Sequence, residues 1–225
     1  TASREEASGR VALETLLAED AWLVALDAAT GEIDWEVPVD ASIGSNALFL
    51  ASDGRSVVLI GSRDGANDDA VYAIRVLEPE SGEERWRAEH ANGKPGQLYH
   101  GEQVHHPVLL DEILVAEPYL YEIETGERVE PDGDEGWAIR RPGHSCGTMS
   151  GAGSCLFFRA NNPTVLDIAD GLAPDSRFRV LSPSRVGCWI NILPAEGLVL
   201  IPEGSASCVC HYALQTSMAF RPRRR

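Results

Sequence analysis

Five cysteines are the residues of this chain best equipped for chemistry, and they gather in its second half: Cys146, Cys155, Cys188, Cys208 and Cys210. A thiol can bridge, bind metal or attack an electrophile, and its neighbours decide which. Cys146 and Cys188 stand 42 residues apart, each shortly before a predicted strand. Cys208 and Cys210 alternate at the end of the last hairpin region. In an oxidising compartment two disulfides would tie this region together, each worth roughly 2–4 kcal/mol. The preferred pairing joins Cys188 to Cys208 and Cys146 to Cys210, although sequence alone does not choose the connectivity. Cys155 lies in the apolar run Cys155-Leu156-Phe157-Phe158 and reads as a buried free thiol.

Other chemistry fits these residues less well. Cys208-Val209-Cys210-His211 places one residue between its cysteines, whereas covalent haem attachment needs two. A Zn²⁺ site from Cys208, Cys210, His211 and either Cys146 or His144 has suitable donors but no Cys-x2-Cys knuckle, so no metal ligands are assigned. Gly143-His144-Ser145-Cys146-Gly147 matches a nucleophile elbow, which makes a serine hydrolase using Ser145 a minor alternative. That elbow needs a buried strand before it and a helix after it. Arg140-Arg141-Pro142 and the glycine-rich stretch from Thr148 to Ser154 supply neither, so a turn leading into a strand is the better reading. The acidic loops at 64–69 and 132–135 offer oxygens to Ca²⁺ without regular ligand spacing and read as solvated turns.

The elements that position these groups come from a repeat. Ala25-Leu-Asp27-Ala-Ala-Thr30-Gly31-Glu-Ile-Asp-Trp35 returns as Val76-Leu-Glu78-Pro-Glu-Ser81-Gly82-Glu-Glu-Arg-Trp86. Leu120 to Gly126 and Val165 to Gly171 repeat its first part without the tryptophan. The turn glycines recur about every 45–50 residues, the period of propeller blades built from short strands. In each copy an acidic residue and a Thr, Ser or Asp precede a glycine able to take positive φ, which gives a tight turn between two strands. Residues 11–21 are the nearest helix candidate, but are read as a strand or short irregular segment ahead of the first hairpin.

The Ala25–Trp35 segment resembles the tryptophan-docking motif of the pyrroloquinoline-quinone (PQQ) type β-propeller repeat. It matches at Ala25, Asp27, Thr30, Gly31 and Trp35, and Trp86 repeats the last position. The second half resembles PQQ-like repeat proteins of bacterial envelopes, through stretches such as His105-His106-Pro107-Val108, Gly187-Cys188-Trp189-Ile190-Asn191 and Cys208-Val209-Cys210. The resemblance implies an all-β fold, a β-propeller of the PQQ or quinoprotein type, with each docking indole lying flat against the neighbouring blade. The units run approximately 12–50, 51–100, 101–145, 146–185 and 186–222, followed by a basic tail at 223–225. A ring of this type takes about eight blades, so a C-terminal part of about four to five blades, forming one partial propeller domain over 1–225, is expected.

Composition narrows the function. The formal charge is −16, with Lys94 the lone lysine, and such a surface repels phosphate backbones, which argues against nucleic acid as partner. No apolar run reaches the 18 residues a spanning helix needs, and no secretion signal is visible. The resemblance and the clustered cysteines point to a periplasmic or otherwise extracytoplasmic location. PQQ with Ca²⁺ is a cofactor pair implied by the resemblance alone; no cysteines are adjacent here, as that family's cofactor clamp requires. His105, His106, Glu117, His144, Arg159, Asn191 and Glu203 lie on or beside strands at corresponding positions and form a candidate binding set for a small ligand. The expected function is a binding or protein-interaction scaffold whose partners are other blades or domains of a longer chain, or another protein. The alternative is part of a quinoprotein-type oxidoreductase whose cofactor site is completed elsewhere.

Overall fold

The computed structural model describes residues 13–18, 21–39, 42–44, 47–66, 70–91, 106–129, 141, 147–169, 178–187, 192–203, 214 and 216–222. Apart from one short helix, the regular structure among them is β, in five antiparallel sheets that follow one another along the chain. Each sheet is a meander in which sequential strands pair, the construction of a propeller blade. The chain divides into two compact units, Thr1–Pro107 with Ile123–Gly126, and Val108–Glu122 with Glu127–Arg225.

The first unit begins with helix α1 (Leu13–Ala18), where a strand or irregular segment was expected. Leu13 and Leu17 are four residues apart and so share a face. Leu17 is buried among Val39, Ile43, Leu59 and Ala73, with Leu13 packed alongside, and Glu14 suits the positive end of the first turn. That one-sided leucine pair outweighs the run's lack of length. Strands β1 (Trp22–Leu26) and β2 (Ile33–Pro38) form a two-stranded sheet. The second sheet comprises β3 (Ala47–Ser52), β4 (Val57–Asp64), β5 (Ala70–Leu77) and β6 (Glu84–Ala91), in that order. It starts before the expected boundary at 51 because the repeated turn joins its third and fourth strands, and its first strand lies far upstream of that signal. By the same logic β1 and β2 correspond to the third and fourth strands of a repeat. Residues 58–62 are all buried, so β4 reads as a continuous rather than alternating apolar run.

The second unit holds β7 (Val108–Leu110), β8 (Ile113–Ala116) and β9 (Tyr119–Glu122) in one sheet. A four-stranded sheet follows, of β10 (Ser150–Ala152), β11 (Cys155–Ala160), β12 (Asn162–Asp167) and β13 (Arg179–Val180). A third contains β14 (Leu193–Ala195), β15 (Leu198–Ile201) and β16 (Met218–Phe220). Alternation along β11 shows how these sheets stack. Leu156 and Phe158 join Val108, Leu110, Val115 and Leu120 in one core. Phe157 points the other way and joins Val186, Ile192 and Ile201 in a second. The middle sheet is thus covered on both faces, and its side chains fasten three sheets into one body.

Turn carboxylates set an acid limit to this fold. The Asp27 carboxylate accepts the backbone N–H groups of Thr30 (2.6 Å) and Ala29 (2.9 Å), and these bonds hold its pKa below the ordinary value. Asp167 is lowered likewise, first by the hydroxyl of Ser154 (2.7 Å) and then by the Ala169 amide. A depressed folded-state pKa stabilises the fold at pH above the unfolded value of about 3.9, and that contribution disappears as pH falls through the lower native value. The thermal midpoint should therefore fall as pH is taken from 6 to 3, and Asp27→Asn or Asp167→Asn should flatten part of that fall. An unchanged pH profile in both variants would refute this assignment.

Candidate functional site

Among the described residues the repeated turns share one geometry. In the first, the N–H of Gly31 donates to the Asp27 carbonyl (2.8 Å) and the Asp27 N–H to the Glu32 carbonyl (2.9 Å). Gly82 to Glu78 and Glu78 to Glu83 repeat both bonds at 2.9 Å. Gly31, Gly82 and Gly126 have φ of 76°, 71° and 72°, a conformation that L side chains rarely adopt. Trp35 of β2 lies over Gly82, and its indole N–H donates to the Pro79 carbonyl at 2.7 Å. Trp86 of β6 lies over Gly126 and donates to the Ile123 carbonyl at 2.7 Å. A methyl group on either glycine would stand 2.6 Å from its indole. Glycine is thus required twice, once by φ and once by the ring pressed against it.

Ion pairs frame the second of these contacts. Arg85 donates from Nε to Glu78 Oε1 (2.7 Å) and from Nη2 to Glu78 Oε2 (2.8 Å), and its Nη1 stands 3.3 Å from Glu124 Oε1. The paired guanidinium holds the Glu78 carboxyl below the usual range. At least one partner in each pair is exposed to solvent, so their main effect is to orient the β5–β6 turn.

A different surface faces away from that packing. In β1 and β2 the residues Leu23, Ala25, Trp35 and Val37 share one face, the face that meets the second sheet through Leu23 and Trp35. The opposite face carries Trp22, Val24 and Leu26, which are 51, 40 and 57% exposed, beside Ile33 at 58%. Asp34 and Glu36 of β2 are also exposed. Among the described residues β1 pairs with β2 alone, so its other edge offers a row of backbone donors and acceptors.

The candidate polar residues are dispersed by role. Glu117 follows β8 and is buried in a forked pair with Arg141, Nε to Oε1 at 3.0 Å and Nη2 to Oε2 at 2.9 Å. Arg141 Nη1 also donates to the Gly147 carbonyl (2.9 Å). Arg159, near the end of β11, is fully buried, with Nε 3.4 Å from the Asn161 carbonyl. Glu203, just beyond β15, is exposed, and its backbone N–H donates to Ser217 Oγ (2.9 Å). All three stand where the second strand of a sheet ends. His106 is exposed, its ring centroid 5.4 Å from that of Phe49. His105, His144 and Asn191 lie outside the described residues, as do Ser145, Cys146, Cys188, Cys208, Cys210 and hence both expected disulfides. Sequence reasoning does not single out Arg141, because an arginine ahead of Pro142 and Gly143 signals no partner until the fold brings Glu117 beside it.

Cys155 is a free thiol, half-buried rather than buried. Burial raises its pKa, and the Asp167 carboxylate adds to the shift, so it is a weak nucleophile at neutral pH. Among the described residues no three His, Cys, Asp or Glu side chains gather where they could hold a metal ion. Lacking adjacent cysteines, the chain's own residues do not fit the PQQ clamp that the resemblance implies. Among the described residues no helix is long and apolar enough to cross a membrane.

No family model matches the chain, and no curated protein matches it. Among solved structures it is similar to BamB from Moraxella catarrhalis, at 16% identity and a TM-score of 0.48, over 83% of this chain and 53% of that one. The chain therefore spans about half the length of the solved structure it matches.

Proposed function

We propose that this chain is an extracytoplasmic interaction module of β-propeller blades, acting as a scaffold that binds other protein segments rather than as a catalyst. The observation that carries this reading is the open face of the β1–β2 sheet. Four large apolar side chains, Trp22, Val24, Leu26 and Ile33, stand 40–58% exposed on a sheet of two strands. Two-stranded sheets are marginal by themselves, and contiguous apolar surface of this kind marks contact with another macromolecule. The acidic charge keeps the module soluble and disfavours polyanions. For a small ligand, His106 and Glu203 are the exposed candidates, whereas Glu117 and Arg159 serve the interior.

A photo-crosslinking residue at Leu26 in cells tests the scaffold. The expected result is a discrete protein adduct in the envelope fraction, lost when Val24 is changed to aspartate. A crosslinker that captures nothing, or a chain confined to the cytosol, would overturn the reading. Addition of PQQ and Ca²⁺ with a redox dye tests the catalytic alternative, since turnover would make the chain part of an oxidoreductase.

A further inference from the structure

Strand β1 has a neighbour on one side only. By the repeated turn it corresponds to β5, the third strand of the second sheet, which pairs with β4 on one side and β6 on the other. Among the described residues β1 pairs with β2 alone. The Val39 N–H donates to the Ala21 carbonyl at 2.9 Å, so alternation turns the backbone groups of Trp22 and Val24 away from β2, toward the free edge. Where β4 precedes β5 along the chain, α1 precedes β1, ending at Ala18 and leaving three residues before Trp22. Helix α1 is six residues long, well short of the roughly 12–15 at which an isolated helix holds itself together. Leu17 is its one buried side chain, and Leu16 stands 54% exposed.

We infer that residues 13–18 form a two-state element: helix α1 exchanges with a strand that pairs antiparallel to β1 and makes the first sheet three-stranded. A spacing of four keeps Leu13 and Leu17 on one side of a helix and also on one face of a strand. Both forms therefore offer the same two leucines to the core of Val39, Ile43, Leu59 and Ala73. Three-residue loops join antiparallel strands readily. A loop of that length sets Leu17 opposite Leu23 on the packed face and Leu16 opposite Val24 on the open one. Leu16, exposed in the helix, gains an apolar neighbour that is itself 40% exposed. The added strand also satisfies the edge of β1 and turns a marginal pair of strands into three. Against it stand the good helix formers Leu, Glu and Ala, which make up all of α1 except Thr15, so the helix is the major form. The strand form closes the edge of β1 and, on the scaffold reading, withdraws that edge from partners; the switch itself does not depend on that reading.

The test is NMR on the full chain, labelled with ¹³C and ¹⁵N. Glu14→Thr combined with Ala18→Val changes two exposed positions and favours strand over helix. In that double variant the Cα and Cβ shifts of residues 14–18 should move from helical to extended values. An Hα–Hα contact between Leu17 and Leu23 should appear, and the Val24 amide should exchange with solvent about tenfold more slowly as it gains a ladder bond. Thr15→Ala, which strengthens the helix, should do none of this and should reduce the minor form about threefold in saturation-transfer spectra. If the double variant does not fold, saturation transfer on the unmodified chain decides, through a minor state with extended shifts at Leu16 and Leu17. Residues 14–18 that stay helical in the double variant, or lose order without the Leu17–Leu23 contact, would overturn the inference, as would an unmodified chain with no such minor state. These spectra read the chain alone, so a failed switch leaves the crosslinking result and the scaffold reading intact.

Discussion

Gly82→Ala will lower the unfolding free energy by about 3 kcal/mol, whereas Gly31→Ala will lower it by about 1 kcal/mol. Both positions have φ above 70°, so both variants suffer the left-handed backbone penalty of roughly 1 kcal/mol. They differ in what the new methyl group meets. At Gly82 it stands 2.6 Å from Cε3 and 2.8 Å from Cδ2 of Trp35, inside the contact distance of carbon atoms, while at Gly31 nothing among the described residues lies within 4 Å. The indole must shift, which weakens its 2.7 Å bond to the Pro79 carbonyl and opens the seam between the first two sheets. Overpacking of that kind costs about 1–3 kcal/mol. Urea denaturation of the two variants side by side measures the difference. Equal losses would mean that the ring slides away freely and that the seam contributes little.

Glu117→Gln will destabilise the second unit by about 3–5 kcal/mol, because it leaves the Arg141 guanidinium buried without its counter-charge. The side chains of Arg141 and Glu117 are 0% and 5% exposed, so water cannot replace the lost carboxylate. Set against a mid-range domain stability of about 10 kcal/mol, this is roughly a third to a half of the total. The double change of Glu117 and Arg141 to leucine and methionine should recover most of the loss, since an apolar pair often replaces a buried ion pair at little cost. Denaturant midpoints for the single and double variants decide the matter. A double variant as unstable as the single one would show that the Arg141 bond to the Gly147 carbonyl, not the charge pair, holds this end of the sheet.

The turn motif was legible in the sequence because its causes are local. A short oxygen side chain, a glycine and a tryptophan four positions later require only neighbouring residues to be recognised, and the geometry at Gly31, Gly82 and Gly126 follows directly. Strand boundaries were less legible, since β3 and β10 are held by pairing with the next strand and carry no punctuation of their own. Helix α1 was misread because its evidence is one tertiary fact, the burial of Leu17. The partner of Glu117 was invisible for the same reason. Burial converts two of the candidate binding residues into internal supports, and sequence carries no direct record of depth. Exposure of Trp22 was equally hidden, since an alternating strand looks the same whichever face is covered.

Each capped turn is an asymmetric joint, in which one hairpin gives the indole and the next offers the glycine. Such joints have a head and a tail, so they cannot be satisfied by a twofold pairing of like surfaces. Shortening the chain breaks such a joint from one side or the other. Loss of the giver bares apolar sheet surface as well as a glycine, as on the sheet that carries Gly31, where Trp22, Val24, Leu26 and Ile33 are exposed. Loss of the receiver strands an aromatic ring in water. Truncations that cut a joint on either side should consequently yield sticky protein.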